Sequence, residues 1–138
     1  MLDDEREALL EIARMALRVA VADLPMRALR AGLARTTSDR RGAAFVTLTE
    51  DGLLRGCMGS LDPDRRLAEA VADAAFCASV DDPRFEPLSA AELPAVHIDV
   101  SVLGPGRPCR RRGDFTPGSD GVVIEGLGHR ALLLPVVP

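Results

Sequence analysis

Cys57 stands two residues after Arg55 and between two glycines, in the run Leu54-Arg55-Gly56-Cys57-Met58-Gly59. A thiol attacks as its thiolate, and a nearby guanidinium favours that charge. Read as a strand, the run sends Arg55 and Cys57 to one face and Leu54 and Met58 to the other. Two residues along a strand is about 6.6 Å, where attraction is ~0.6 kcal/mol in water and ~2.5 kcal/mol at an effective dielectric near 20. Those energies are roughly 0.5 and 1.8 pKa units, so only a partly buried, well-aimed Arg55 makes Cys57 a strong nucleophile. Gly56 and Gly59 allow another backbone or a ligand to come close.

A base for that thiol would come from His97 or Asp99. They share one strand face with Ser101, while Val96, Ile98, Val100 and Val102 share the other. The same alternation describes an ordinary strand with one wet face, so the catalytic and structural readings stand side by side. Asp82, Arg84 and Glu86 alternate with prolines around Phe85. They read either as a rigid corner, with Phe85 plugging the core and Arg84 pairing with a carboxylate, or as the lining of a ligand cleft. His129 reads as a surface turn residue. Cys77 and Cys109 have no companion motif, and two His with three separated Cys lack ligand spacing, so no metal site is expected.

These side chains need elements to position them. Residues 4–24 read as an amphipathic helix capped by Asp3 or Asp4 and ended by Leu24-Pro25. A second helix over 26–34 should stop near Gly32, and 36–42 reads as a mobile loop. Residues 43–49 and 53–58 form a hairpin through Glu50-Asp51-Gly52, with Cys57 on its second arm. Asp62-Pro63 should cap a helix reaching Val80, with Leu67, Val71, Ala74, Ala75 and Ala78 as its buried stripe. An irregular link over 81–87 leads to the capping box Ser89-Ala90-Ala91-Glu92, then to the strand 96–102. A last hairpin spans 121–125 and 130–134. Helices and hairpins without a βαβ rhythm imply an α/β (α+β) fold, a mixed, largely antiparallel sheet with packed helices.

Composition closes several routes. The chain of 138 residues has no Lys, Asn, Gln, Trp or Tyr, so Schiff-base chemistry, a P-loop lysine and a Cys-His-Asn triad are excluded. Net charge is −4, and only four phenylalanines are available for stacking on bases. Nucleic-acid binding would therefore rest on Arg110-Arg111-Arg112 alone. Every apolar run is broken before it could span a bilayer, and the start Met1-Leu2-Asp3-Asp4-Glu5-Arg6 is acidic where a secretory signal is basic. A single compact core in a cytoplasmic protein with reduced thiols is expected.

Four segments occur in a specific order: Leu54 to Gly59; Asp82-Pro83-Arg84-Phe85-Glu86-Pro87 with Glu92-Leu93; His97 to Leu103; and Gly121 to Ile124 with Leu132-Leu133-Leu134-Pro135. In them the chain resembles the AMMECR domain family. The resemblance implies a larger and a smaller subdomain around a cleft, and an activity not established in the family. It singles out Asp82, Arg84 and Glu86, and the residues expected to bind a ligand are Arg55, Gly56, Gly59, Asp82 and Arg84. Many prokaryotic members are named as protein A of a system with a Memo-like and a radical-SAM protein, which implies those partners. This chain carries no motif for iron–sulfur or S-adenosylmethionine binding and is expected to hold no cofactor. Similar proteins continue past Leu-Leu-Leu-Pro into a helical segment, so 1–138 reads as one AMMECR-type domain that lacks it. Three readings follow: a partner-dependent binder of a small ligand or peptide; a thiol enzyme with Cys57 as nucleophile and His97 or Asp99 assisting; and a nucleic-acid binder.

Overall fold

Asp51 and Gly52 both take positive φ, 53° and 76°, and close β1 (Ala43–Glu50) and β2 (Leu53–Ser60) into a tight two-residue hairpin. The computed structural model describes residues 1–135, so the expectation attached to Pro138 lies outside the described residues. The chain divides into two units, Met1–Gly104 and Pro105–Pro138. In the first, β3 (Val96–Leu103) pairs antiparallel with β1 on the side away from β2, giving the order β2-β1-β3. In the second, β4 (Val122–Gly126) and β5 (His129–Leu133) form an antiparallel ribbon turned by Leu127 and Gly128, both at positive φ. His129 is the first residue of β5 and is exposed.

The register sorts the first sheet into two faces. Ala44, Val46 and Leu48 align with Met58, Gly56, Ile98, Val100 and Val102; Phe45, Thr47 and Thr49 align with Cys57, Gly59, His97, Asp99 and Ser101. The first row faces the helices: Val46 and Leu48 are fully buried with Ile12, Ala16 and Leu17 of α1 (Asp3–Ala20) and with Val71, Ala75 and Ala78 of α3 (Leu67–Val80). The expected stripe of α3 is buried throughout. Its small side chains let it lie close on the sheet. A Cβ on Gly56 would overlap the Ala78 carbonyl oxygen, so this glycine serves helix-to-strand contact. A Cβ on Gly59 would meet the Phe45 ring at 2.5 Å.

The helix boundaries differ from expectation for local reasons. The N-cap of α1 is Leu2, whose N–H donates to Glu5 Oε2 at 3.2 Å, while Asp3 and Asp4 sit inside the first turn. The helix ends early because Ala22 turns left-handed (φ 63°), which lets the Asp23 and Ala22 N–H groups donate to the Arg18 and Val19 carbonyls at 2.8 and 3.1 Å. Helix α2 (Met26–Arg35) runs through Gly32 instead of stopping there; a Cβ at Gly32 would come within 2.9 Å of Met15 Cε. Helix α3 begins at Leu67, not at Asp62, because Arg66 is extended and bridges Arg41, while Asp62 Oδ1 closes a turn on the Asp64 N–H. Residues 36–42 are tied down by Arg66 Nη2 to the Thr36 carbonyl (2.6 Å) and by backbone bonds from Gly42 to Arg65 (3.0 Å) and from Leu67 to Arg40 (2.8 Å). Ser89 opens a 3₁₀ helix, Ala90–Ala95.

Crowding under Gly56 gives a direct test. Gly56→Ala is expected to cost about 1–3 kcal/mol in urea unfolding, because α3 must shift off the sheet. Leu53→Ala, at an exposed position of the same strand, should stay within about 0.5 kcal/mol.

Candidate functional site

The hairpin register contains one irregularity, and it falls inside the cysteine motif. Thr49 faces Leu54 and Leu48 faces Gly56, so Arg55 is an extra residue with no partner on β1. The bulge breaks the alternation that would have aligned Arg55 with Cys57. Arg55 instead donates from Nε and Nη2 to the two oxygens of Glu92 at 2.9 and 3.3 Å, and from Nη1 to the Glu86 carbonyl at 2.8 Å. Glu50 Oε2 lies 3.9 Å from its Nε. Ser89 completes the group by donating its N–H and hydroxyl to Glu92 Oε2 at 2.8 and 3.0 Å.

The cation at Cys57 is Arg84. In an antiparallel edge strand the N–H and C=O of every second residue point outward, and those of Cys57 do so. The Cys57 N–H donates to Asp82 Oδ2 at 3.0 Å, and Arg84 Nη2 lies 3.5 Å from the Cys57 carbonyl oxygen. Asp82 and Arg84 are themselves joined by two charge-assisted bonds, Nε to Oδ1 at 3.0 Å and Nη2 to Oδ2 at 2.8 Å. The Arg84 N–H also donates to Asp82 Oδ1 at 3.1 Å. The corner 82–84 thus does for one residue of β2 what a further strand would do. The guanidinium lies 5.5 Å from the Phe85 ring centre. Phe85 is half-buried and does not plug the core; Leu88 does, with its N–H bonded to the Ser79 carbonyl at 2.7 Å.

Cys57 itself is half-buried, with its Sγ 3.4 Å from Oγ1 of the fully buried Thr47. Thr47 is flanked by Cys57 on one side and Asp99 on the other. Asp99 is therefore two strands from Cys57, about 10 Å between Cα atoms. His97 is two residues further along β3; its side chain is 73% exposed and its Nε2 lies 3.6 Å from Asp99 Oδ1. The sheet does not bring His97 to the thiol. Cys77 is half-buried on α3, where burial first and the Asp81 charge second push its thiol up. Arg110 and Arg111 use their backbone N–H groups to bind Asp114. Among the described residues no group of three or more His, Cys, Asp or Glu could hold a metal ion, and no helix is long and apolar enough to cross a membrane. A cavity of about 310 Å³ among Leu9, Ile12, Met15 and Leu67 contains none of the candidate catalytic or ligand-binding residues.

Sequence reading missed Thr47, Glu50 and Glu92 as members of this cluster. The hairpin turn alone would have set Thr47 opposite Gly56; the bulge moves it opposite Cys57. Glu92 was visible in the Glu92-Leu93 segment of the resemblance and as the last residue of a capping box, a local role that it keeps while also binding Arg55.

Charge follows this geometry. The Arg84 side chain, then the Cys57 and Arg84 N–H groups, hold the Asp82 carboxyl down at about 2 against the opposing effect of burial. Arg55 first and the Ser89 N–H second bring Glu92 to about 2. Glu50 is pushed up, by partial desolvation first and by neighbouring Glu92 second.

Comparison with known proteins agrees with the fold. The sequence model of the AMMECR1 family matches residues 10–138. A protein of Methanothermobacter thermautotrophicus is 38% identical over 140 residues, covering 97% of this chain and 72% of that one. An Aeropyrum pernix protein is 42% identical over 144 residues, covering 98% of this chain and 61% of that one. A Thermotoga maritima protein is 42% identical over 98 residues, covering 70% of this chain and 56% of that one. The crystal structure of an uncharacterized protein from Pyrococcus horikoshii matches with a TM-score of 0.77 at 29% identity, covering 100% of this chain and 72% of that chain. The chain thus spans between about half and three quarters of the length of these relatives.

The Asp82 clasp has a pH signature. A carboxyl lowered from 3.8 to about 2 on folding contributes stability that is present above about pH 4 and lost as pH falls through 2. Its share is about 2 kcal/mol. Asp82→Asn, which keeps an acceptor for the Cys57 N–H, should lower stability at pH 7 by about 2 kcal/mol and narrow its gap to wild type at pH 2. Urea unfolding at pH 7, 4 and 2 reads both effects.

Proposed function

The chain belongs to the AMMECR1 family, and on that premise we propose that it is a partner-dependent binding component whose recognition face is built around Cys57, Asp82 and Arg84. The observation that carries this reading is the matching of charges at the motif: Arg55 with Glu92, and Arg84 with Asp82. Such pairs fix the shape of a surface before any ligand arrives, which favours binding. A thiol nucleophile needs a base within hydrogen-bond reach, and His97 lies on β3, with β1 between it and Cys57. Arg84, half-exposed on the Phe85 ring, offers donors to a carboxylate or carbonyl of a small ligand or peptide segment. In this reading Gly56, Gly59 and Arg55 hold the strand that presents Cys57. The partners proposed are the Memo-like and radical-SAM proteins implied by the family resemblance, and the setting is the cytoplasm.

Titration calorimetry of this chain against each purified partner tests the reading. Cys57→Ser should leave affinity within about twofold, while Arg84→Met, which keeps the apolar stem, should weaken it at least tenfold. Absence of binding to either partner would overturn the proposal. A reconstituted system whose turnover disappears with Cys57→Ser, at unchanged partner affinity, would replace it with the thiol-enzyme reading.

A further inference from the structure

Arg55 is one cation shared between two carboxylates. Its Nε and Nη2 donate to Glu92 at 2.9 and 3.3 Å, and its Nη1 is taken by the Glu86 carbonyl at 2.8 Å. The same Nε lies 3.9 Å from Glu50 Oε2, an ion pair too long to be a hydrogen bond. Glu92 also accepts from the Ser89 N–H and hydroxyl, whereas Glu50 gains no second cation among the described residues. The side chains of Arg55, Glu50 and Glu92 are 16%, 26% and 27% exposed, so water screens the two negative charges only in part. Asp51 in the turn adds a further negative charge beside Glu50, and Glu86 faces Arg55 from the irregular link. In the ladders Glu50 stands opposite Val96 on β3 and Leu53 on β2, neither of which carries a charge. The Glu50 and Glu92 carboxyls are themselves in hydrogen-bonding contact, an arrangement that two ionised carboxylates oppose and one proton satisfies.

We propose that Glu50 and Glu92 form a proton-sensitive joint between β1 and the 3₁₀ helix, in which one proton from water rests on Glu50 and is donated to Glu92. With both groups ionised, they compete for Arg55 and repel each other. With the proton in place, Arg55 on β2 and Glu50 on β1 both bind Glu92, and the two arms of the hairpin are tied to the 3₁₀ helix together. The first proton goes to Glu50, because partial desolvation and then Glu92 push it up, while Arg55 and Ser89 hold Glu92 at about 2. A carboxyl raised on folding above 4.5 binds more protons in the native state than in the unfolded chain. Its contribution to stability is therefore present at low pH and falls as pH rises through that window, opposite in sign to the contribution of Asp82. As regulation of the Cys57 face the joint rests on the function proposed above; as a property of the fold it does not.

The test is an NMR titration of the side-chain carboxyls of the whole chain, which needs no partner. Glu50 should take up its proton at a higher pH than Glu92, and the Glu92 signal should move at the Glu50 midpoint as well as at its own. Glu92→Gln removes the like charge and frees Arg55, so the Glu50 midpoint should shift down. Glu50→Gln imitates the protonated group, whose amide can donate to Glu92. Its urea midpoint should lie above that of wild type at pH 7 and meet it by about pH 4. If Glu92→Gln does not fold, the wild-type titration and Glu50→Gln still decide. Three results would overturn the proposal: Glu50 and Glu92 titrating at one common pH, a Glu92 signal that ignores the Glu50 midpoint, or a Glu50→Gln urea midpoint at or below wild type at pH 7. Failure of the chain to bind a partner would overturn the recognition reading and leave this titration unchanged, so the two failures are distinguishable.

Discussion

Much of the motif's order depends on the hydrogen bond from the Cys57 N–H to the Asp82 carboxylate. An edge strand leaves outward backbone groups that must find water or a partner. Asp82 is 4% exposed, so its charge is sustained by Arg84 and by the two N–H groups that it accepts, and not by solvent. The bond fixes Cys57 in the strand. Through Arg84 it also brings a cation to the residue that the sequence had assigned to Arg55. The left-over hydrogen bonds of the corner 82–88 then go inward, with the Leu88 N–H on the Ser79 carbonyl and its side chain in the core.

The bulge at Arg55 is the second constraint. One extra residue releases Arg55 from the face of Cys57 and lets it reach Glu92, Glu50 and the Glu86 carbonyl. The motif is thereby gripped twice, by Asp82–Arg84 at Cys57 and by Glu92 and Glu86 at Arg55. Each grip pairs a cation with a carboxylate from a segment distant in sequence or from the irregular link, so the link, the 3₁₀ helix and β2 become one unit around the thiol. Gly56 between them faces the helices, where only a residue without Cβ clears the Ala78 carbonyl. The two charged grips and the close helix contact explain why Arg, Gly, Cys, Asp-Pro-Arg and Glu belong together in one chain.

Local rules made much of this legible. The Asp51-Gly52 turn, the alternation from Val96 to Val102 and the apolar stripe of α3 each depend on residues a few positions apart, and each is present. The start of α3 was not legible, because a bridge to Arg41 decides it, and the passage of α2 through Gly32 runs against the local glycine signal. At the site, the residue types were legible and their pairings were not. Asp82, Arg84 and Cys57 were all singled out, but the bulge that redirects Arg55 leaves no trace in composition or period.

The sequence by itself determined the family, the antiparallel hairpin with its Asp-Gly turn, the two faces of β3 and the set of residues able to do chemistry, since turn geometry, period and residue identity are local properties. The tertiary structure alone decided which charge meets which. It gave Arg84 to Cys57 and Arg55 to Glu92, kept His97 away from the thiol and closed the β2 edge at Cys57 with the Asp82 carboxylate. Those outcomes depend on register and on contacts between segments far apart in the chain, where an extra residue or one buried carboxylate changes every neighbour.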